Sequence, residues 1–277
     1  MKLKIDRETT VCISIAKKPS PLGCAIFNSV FEYEKMNWIY KPFAVDSDGL
    51  EGAIAGIRAL GIRGCGVSMP HKVSILTYLD EIEPAAKEIG AVNTVVNREG
   101  KLSGYNTDYI GCVRAVEEIV GDVSDKSALI YGAGGASRAI IYGLRSLGVK
   151  KIYVNGRTES TAREVCSKFG CEFVDDLNVG DVDANMFYNA TPVGIAPEYE
   201  VMPFDEKFVS KFEIIGDVIV NPIESKLIRT ARKLGKIAIP GYVMSMHQAL
   251  EQFRLYTTKS ADKRFVENKI KEIVSGN

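Results

Sequence analysis

Apolar segments alternate with segments of helical periodicity along the chain as far as Pro240. In the first part of the chain, short apolar runs predict strands at 11–15, 38–45, 64–67 and 92–96. Asp48 stands where an N-cap would begin a helix that runs to Leu60. The four residues at 97–100 have the composition of a hairpin turn, which predicts a further strand at 102–105.

A second series of alternating elements follows. Its predicted strands lie at 128–131, 151–154, 186–189, 214–218 and 236–239, and its predicted helices at 135–147, 160–169 and 225–234. This order of elements is typical of a Rossmann-type fold, and strands that alternate with helices imply parallel sheets. After Gly241, two helical stretches at 244–257 and 261–275 have no strand between them.

These patterns predict an α/β protein built from three parts. Residues 1–110 form an α/β substrate-binding and catalytic domain, residues 111–240 a Rossmann-type nucleotide-binding domain, and residues 241–277 C-terminal helices that return to pack on the first domain. A helix near 108–121 leads from the first domain to the second. In such a plan the active site is expected in the cleft between the domains.

Composition excludes several classes of function. Of the 277 residues, 46% are apolar and 25% charged, and the formal net charge is zero, which is not the profile of a disordered chain or a basic nucleic-acid binder. The amino terminus lacks a signal-peptide core and no apolar run reaches the length of a membrane span, so we expect a cytoplasmic protein. Six cysteines without a C-x-x-C pair and only two histidines predict reduced thiols and no metal site.

A glycine-rich turn follows the strand predicted at 128–131. It comprises Gly132, Ala133, Gly134, Gly135 and Ala136, with the small Ser137 in place of a third glycine. Gly132 permits a tight turn, Gly134 lets the backbone approach a pyrophosphate, and the first amides of the next helix attract the anion. The turn therefore predicts a dinucleotide site, although glycine-rich turns also occur for tight packing alone.

The next strand indicates which dinucleotide is bound. Where an NAD site would have an acidic residue for the ribose, the chain has Arg157 and Thr158. A guanidinium can bind a 2′-phosphate in a bidentate manner, with the threonine as a second donor, so we predict NADP rather than NAD. The alternative is a solvated loop arginine paired with Glu159.

Lys72 and Asp108 are the candidate catalytic residues. Lys72 follows Ser68-Met69-Pro70-His71, and Asp108 ends the run Asn106-Thr107-Asp108. An ammonium and a carboxylate form a suitable pair for moving a proton at an oxygen. A buried ion pair that merely joins two elements is the alternative.

Six motifs in order resemble the shikimate dehydrogenase family, most closely its divergent shikimate dehydrogenase-like branch. Residues 68–72 resemble its T-x-P-x-K, 91–94 its A-V-N-T, 106–108 its N-T-D, 132–138 its G-A-G-G-A-[AS]-R, 189–194 its N-A-T-P-x-G, and Gly241, Met244 and Gln248 its closing G-x-x-M…Q. The resemblance implies NADP-dependent interconversion of shikimate and 3-dehydroshikimate, with Lys72 and Asp108 as the catalytic pair.

The resemblance also implies substrate and cofactor contacts. The implied substrate-binding residues are Ser20, Ser68, Asn93 and Gln248, and Thr191, Gly194 and Gly241 join the cofactor set. The amides of Asn93 and Gln248 suit the hydroxyls of a polyol. As alternatives, Asn93 is a strand-end cap, Gln248 an exposed helix residue, and Thr191 a turn former.

Departures from the family pattern bear on the substrate. Lys18 and Pro19 replace the first part of the family's S-x-S-P, Gly66 stands where the family usually has Asn, and 217–220 lacks the usual Tyr. The expected substrate is therefore shikimate or a related cyclic hydroxy acid, such as quinate or an amino analogue. The alternative function is an NADP(H)-binding sensor with little turnover, and a folate-type methylene dehydrogenase is a minor third reading. We expect a small-molecule partner, neither nucleic acid nor membrane, and a monomer or homodimer.

Overall fold

The computed structural model describes residues 5–176 and 178–276, and this part of the chain divides into two compact units. One unit contains the chain up to Thr107 and the segment from Gln248 onward, and the other contains Asp108–His247. Within the described residues each unit has a six-stranded sheet with helices. The predicted α/β class is confirmed.

The strands are β1 (Thr10–Ala16), β2 (Trp38–Ala44), β3 (Gly64–Val67), β4 (Glu81–Ile82), β5 (Thr94–Arg98), β6 (Lys101–Tyr105), β7 (Ser127–Tyr131), β8 (Lys151–Asn155), β9 (Glu172–Phe173), β10 (Met186–Asn189), β11 (Ile214–Asp217) and β12 (Ile237–Ile239). The helices are α1 (Pro21–Tyr33), α2 (Leu50–Ala59), α3 (His71–Ser74), α4 (Pro84–Ile89), α5 (Thr107–Ile119), α6 (Gly135–Ser146), α7 (Glu159–Phe169), α8 (Glu206–Val209), α9 (Lys226–Lys233), α10 (Gly241–Thr257) and α11 (Lys263–Ser275). The elements that have no counterpart among those predicted from sequence are β4, β9, α1, α3, α4 and α8.

The sheet of the first unit is mixed. Its strand order is β2-β1-β3-β5-β6-β4, in which β1 pairs in parallel with β2 and β3, while β5 is antiparallel to both β3 and β6. The parallel pairing expected from the alternation of strands and helices holds for β1 with β2 and β3 and for β4 with β6. The antiparallel pairing of β5 with β6 follows from the predicted hairpin, because a two-residue hairpin can only reverse the chain, whereas that of β5 with β3 was not predicted. The hairpin itself is confirmed: Glu99 and Gly100 have φ angles of 55° and 86°, the signature of a tight turn between twisted strands.

Two of the boundaries that differ from the sequence predictions have a visible cause. The predicted strand at 92–96 begins two residues later, at Thr94, since the Val92 amide donates instead to the carbonyl of Lys72. Asp48 is not a helix N-cap. It lies in a short 3₁₀ turn, Ser47–Gly49, and Gly49 takes the N-cap position of α2 without a side-chain bond. The extra turn shifts the start of the regular helix beyond Asp48.

The second unit confirms the Rossmann prediction. Its sheet has the order β12-β11-β10-β7-β8-β9, and all of these pairs are parallel. Numbered from β7, this is the order 3-2-1-4-5-6 read from the other edge. The chain crosses over between β7 and β10, and in such sheets ligands bind outside the carboxyl ends of the strands at this switch point.

Each sheet is covered by apolar side chains. In the first unit, Ile13, Ile15 and Val95 of the sheet pack with Ile54 and Ile57 of α2. The segment from Gln248 onward adds aromatic contacts to this unit. Phe31 of α1 packs against Phe253 of α10, and the rings of Tyr33 and Phe265 stack with their centroids 4.1 Å apart. The second unit has an aromatic cluster of Phe187, Phe204, Phe208 and Phe212. In the described residues no helix is both long enough and apolar enough to cross a membrane.

Gly64 marks the close approach of α10 to β3. A Cβ at this position would overlap the ring of Tyr256, which is itself completely buried. We expect Gly64→Ala to lower the free energy of unfolding by about 1–3 kcal/mol, since the ring has no space to retreat. Gly52→Ala is the matched control, because a Cβ on this exposed helical glycine meets nothing within 4 Å. Urea denaturation measures both variants, and equal stability of the two would contradict this packing argument.

Candidate active site

Lys72 lies where three parallel strands of the first unit end together. The amide of Ser68 donates to Ile15, that of Lys17 to Met69, and that of Val45 to Ala16, at 3.0, 3.1 and 2.9 Å. These bonds join the loops that follow β1, β2 and β3. Carboxyl ends of parallel strands form the ligand-binding edge of such sheets, so the loop of Lys72 stands at the expected edge.

The backbone around Lys72 is fixed from both sides. His71, which is fully buried, donates from Nε2 to the carbonyl of Val45 at 2.8 Å. The carbonyl of Lys72 accepts the amide of Val92 at 2.8 Å, and Val67 donates to the carbonyl of Asn93 at 2.7 Å. The partly exposed side chain of Lys72 thus projects from a turn that is tied to the segment carrying Asn93.

The side chain of Asn93 is the centre of a buried hydrogen-bond network. Its Oδ1 accepts the backbone amide of Thr107 at 2.7 Å and the hydroxyl of Thr94 at 2.9 Å, and its Nδ2 donates to the hydroxyl of Thr107 at 3.0 Å. Asn93 is only 1% exposed. Because Thr107 is the first residue of α5, Asn93 caps this helix start, a capping role of another kind than the strand-end cap given as its alternative. Its role as a substrate ligand stays a prediction.

Asp108 follows directly, in the first turn of α5, and is buried. A carboxylate at this end of a helix is favoured by the helix dipole. Nearby, Asn106 anchors the turn by donating from Nδ2 to the carbonyl of Ala91 at 2.9 Å. Lys72 belongs to the first unit and Asp108 to the second, and their pairing stays a prediction.

The other predicted substrate residues lie on the first unit as well. Ser20 is the exposed N-cap of α1, with its Oγ accepting the amide of Leu22 at 3.2 Å. Ser68 is exposed directly after β3, and Gln248 lies partly exposed on α10. Sequence reasoning missed Gln252, one helical turn beyond Gln248, which donates to the hydroxyl of Thr94 at 2.8 Å. Its i,i+4 spacing from Gln248 was the available signal.

Sequence reasoning also missed Tyr40. Its position explains why residue 66 is glycine here and not the asparagine usual in the family. A Cβ on Gly66 would lie 2.6 Å from the Tyr40 hydroxyl, so any side chain there would collide with it. Tyr40 is hydrogen-bonded to Ser14, and burial raises the pKa of its phenol well above the usual value. The room that an Asn would need at position 66 is thus occupied by a neutral phenol from β2.

The glycine-rich turn of the second unit fits a dinucleotide phosphate. Gly132 has φ +122°, and a Cβ there would lie 2.9 Å from the carbonyl of Ala190, so only glycine is accommodated. A Cβ on Gly134, by contrast, would meet nothing within 4 Å. Helix α6 begins at the next residue, Gly135, with Ala133 in the turn before it and Ala136 in its first turn. Open backbone beside a helix start suits a pyrophosphate.

Arg157 and Thr158 lie exposed in the loop between β8 and α7. Thr158 holds the N-cap position of α7 but makes no capping bond with its side chain. Glu159 binds Arg163 at 2.7 Å, so the partner that the alternative interpretation gave to Arg157 is engaged elsewhere. Two further polar residues that the sequence did not single out, Asn155 and Asp176, lie at the same edge of the sheet and are bonded to each other at 2.9 Å.

A second buried network supports the loop after β10. Asn189 Oδ1 accepts the amide and the hydroxyl of Thr191 at 3.1 and 2.6 Å, and its Nδ2 donates to Asp217 at 3.0 Å. Asp217 also accepts the hydroxyl of Ser225 and the amide of Ile219. Thr191 in turn accepts the amide of Val193, which is the turn-forming role given as its alternative.

Two glycines of the predicted cofactor set lie beside this network, and at each of them a side chain is excluded on steric grounds. Gly194 has φ +93°, and a Cβ there would lie 3.0 Å from the carbonyl of Val201. A Cβ on Gly241 would overlap the backbone of Ile219. The structure thus gives Thr191, Gly194 and Gly241 definite local roles, while their contact with a cofactor stays a prediction.

Burial raises the pKa of Asp217 to about 7, against the hydrogen bonds that lower it. The native state therefore holds a proton that the unfolded chain, with a pKa near 3.8, releases. This contribution to stability is complete below the unfolded pKa and is lost as the pH rises through about 7.

We expect Asp217→Asn to gain stability relative to wild type by about 1.4 kcal/mol per pH unit between pH 5 and 7. Asp183→Asn, an exposed carboxylate ahead of β10, is the control. Parallel stability curves of wild type and Asp217→Asn in urea titrations would refute the assignment.

Comparison with known proteins agrees with this architecture. Residues 15–95 match the model of the shikimate dehydrogenase substrate binding domain, and residues 114–186 match that of shikimate / quinate 5-dehydrogenase. A shikimate dehydrogenase (NADP(+)) of Caldanaerobacter subterraneus subsp. tengcongensis is 39% identical over 278 residues, covering 97% of this chain and 99% of the relative. A shikimate dehydrogenase-like protein of Haemophilus influenzae is 35% identical, over 91% and 92% of the two chains.

Solved structures lead to the same family. The crystal structure of a shikimate dehydrogenase in complex with NADP+ superposes with a TM-score of 0.90 at 33% identity, covering 98% of both chains. The order of motifs, the two sheets and these matches over nearly the whole chain agree. The family prediction made from the motifs is confirmed: this chain belongs to the shikimate dehydrogenase family.

Proposed function

We propose that this protein is an NADP-dependent oxidoreductase that interconverts shikimate and 3-dehydroshikimate or a closely related pair of cyclic hydroxy and keto acids. The observation that carries the proposal is the turn that presents Lys72 at the carboxyl end of β3, held by bonds from Val45 and Val92. In a chain of this family that also retains the nucleotide-binding turn, such a fixed but partly exposed lysine serves proton transfer better than packing. The first unit is assigned the substrate and the second unit the cofactor.

The second unit would hold the cofactor through its backbone. The amides at the start of α6 bind the pyrophosphate, with Gly134 allowing close approach. Arg157 and Thr158 bind the 2′-phosphate. The loop of Thr191 and Gly194, braced by Asn189 and Asp217, supports the nicotinamide half. When bound, NADP supplies or accepts the hydride.

Lys72 handles the proton of the reacting hydroxyl. In the oxidation, a neutral Lys72 takes this proton while the hydride leaves the ring carbon, and in the reduction its ammonium returns the proton to the oxygen. Asp108 is assigned the task of orienting the lysine and bonding a neighbouring hydroxyl. A carboxylate favours the charged lysine, so partial desolvation must offset it for Lys72 to act as a base.

The substrate pocket supports a relative of shikimate as well as shikimate itself. Ser20, Ser68, Asn93 and Gln248 are assigned to the carboxylate and the ring hydroxyls. The Tyr40 hydroxyl beside Gly66 and the exposed Lys18 change the polar groups that the family usually offers. Each lost hydrogen bond weakens binding by about 1 kcal/mol, so three changed contacts cost on the order of a hundredfold for shikimate. Quinate or an amino analogue is therefore included in the proposal.

The test is a turnover assay at the absorbance band of the reduced nicotinamide. Purified protein is mixed with shikimate, quinate and their amino analogues in turn, each with NADP and with NAD. Rapid reduction of NADP with one of these acids supports the proposal and identifies the substrate. If no acid reduces either cofactor although NADPH binds tightly, the proposal is overturned in favour of an NADP(H)-binding sensor.

Lys72→Ala tests the proton-transfer role. We expect turnover to fall by roughly 10² to 10⁴, because the reacting oxygen loses its proton partner, while the dissociation constant of NADPH is unchanged. Lys87→Ala, an exposed lysine on α4, removes the same charge elsewhere on the first unit and serves as the control. Turnover of Lys72→Ala close to that of the control would disprove the role.

A further inference from the structure

A mixed-charge cluster lies at the carboxyl ends of three neighbouring strands of the second unit. Tyr131 ends β7, Asn155 ends β8 directly opposite it, and Asp176 follows β9. Arg157 lies two residues beyond Asn155. The carbonyl of Asn155 accepts the amide of Gly132 at 2.7 Å, so the cluster adjoins the glycine-rich turn. In a Rossmann-type sheet this is the side of the turn that receives the adenosine ribose.

Asn155 holds Asp176 in a defined orientation. Its Nδ2 donates to Asp176 Oδ1 at 2.9 Å and to the carbonyl of Val174 at 3.0 Å. Both partners accept only, so the amide cannot be turned round. Its Oδ1 is buried and has no hydrogen-bond partner among the residues that the structure describes. Asn155 therefore fixes Asp176, which is exposed and keeps acceptor capacity for a donor that a ligand brings.

The charges of Arg157 and Asp176 have opposite effects on the pKa of Tyr131. Burial raises the pKa of Tyr131, the charge of Asp176 raises it further, and that of Arg157 lowers it. The arginine that suits a 2′-phosphate thus shares its surroundings with a carboxylate that repels one. The free hydroxyls of an NAD ribose are donors, whereas a 2′-phosphate offers acceptors and negative charge.

We propose that Asp176, oriented by Asn155, is a specificity-determining residue for the cofactor. It accepts a hydrogen bond from a ribose hydroxyl of NAD and repels the 2′-phosphate of NADP, so that the site binds both cofactors with a moderated preference. Discrimination of this kind needs a repulsive element as well as an attractive one, and Arg157 supplies the attraction. This inference rests on the proposed function, since it assigns the ribose end of the same nucleotide site.

The test measures binding rather than turnover. Isothermal titration calorimetry with 2′,5′-ADP and 5′-AMP isolates the 2′-phosphate, because the two probes differ only in that group. We expect Asp176→Asn to raise the preference for 2′,5′-ADP over 5′-AMP roughly tenfold, the size of one neighbouring like charge near a protein surface. The gain should shrink as salt is added, which a purely structural effect would not do.

Two further variants complete the design. Asp183→Asn removes an equal charge from an exposed position just before β10, at the amino end of that strand, and should leave the preference unchanged. Arg157→Gln should weaken 2′,5′-ADP and spare 5′-AMP. Asp176→Ser repeats the measurement with a smaller side chain if the Asn variant is poorly folded.

The outcomes separate the two proposals. An unchanged preference in both Asp176 variants, with normal binding by the wild type, overturns the role of Asp176 and leaves the proposed function standing. Failure of the wild-type protein to bind either probe or NADPH overturns both. A rise in preference that is equal in Asp183→Asn also overturns the inference, because it would then reflect net charge alone.

Discussion

The carboxamide of Asn93 is the interaction on which the first half of the site depends. It satisfies the buried amide of Thr107 and two threonine hydroxyls, and through Thr94 it connects to Gln252 of α10. A buried donor left without a partner costs about 1–3 kcal/mol, so this network strongly favours one arrangement of β5, Thr107 and Gln252 within the first unit. The network also adjoins the backbone on which the candidate catalytic residue Lys72 depends. The carbonyl of Lys72 accepts the amide of Val92, the residue before Asn93. Asp108 follows Thr107 in the chain.

In the second unit, another asparagine also satisfies hydrogen-bond donors of the surrounding loop. Asn189 also ends a strand and satisfies backbone and hydroxyl donors with its Oδ1, while its Nδ2 binds Asp217. Burial makes Asp217 costly to ionise, and a raised pKa is the consequence. Around it, glycines allow backbone segments to approach more closely than any side chain would permit. Polar networks and small residues together give both loops a single conformation.

Charge in the nucleotide-binding half is balanced rather than uniformly positive. The chain has no net charge, and the charges of Arg157 and Asp176 act in opposite directions on Tyr131. The proposed anion binding there would rely on local groups, the amides at the start of α6 and one guanidinium, and long-range attraction would contribute little. Local groups are easily changed by single substitutions, so single residues at this end of the strands can change the preference for a cofactor.

The sequence by itself determined the class of fold, the Rossmann order of the second unit and the family. These depend on periodicity, on glycine positions and on ordered motifs such as 68–72 and 132–138, all of which are local properties of the chain. Only the tertiary structure decided the antiparallel pairing of β5 with β3, the cap that Asn93 provides, the Tyr40 hydroxyl beside Gly66 and the bond between Asn155 and Asp176. Each of these joins residues from different elements, and hydrogen bonding and steric exclusion between such residues depend on packing that no local pattern records.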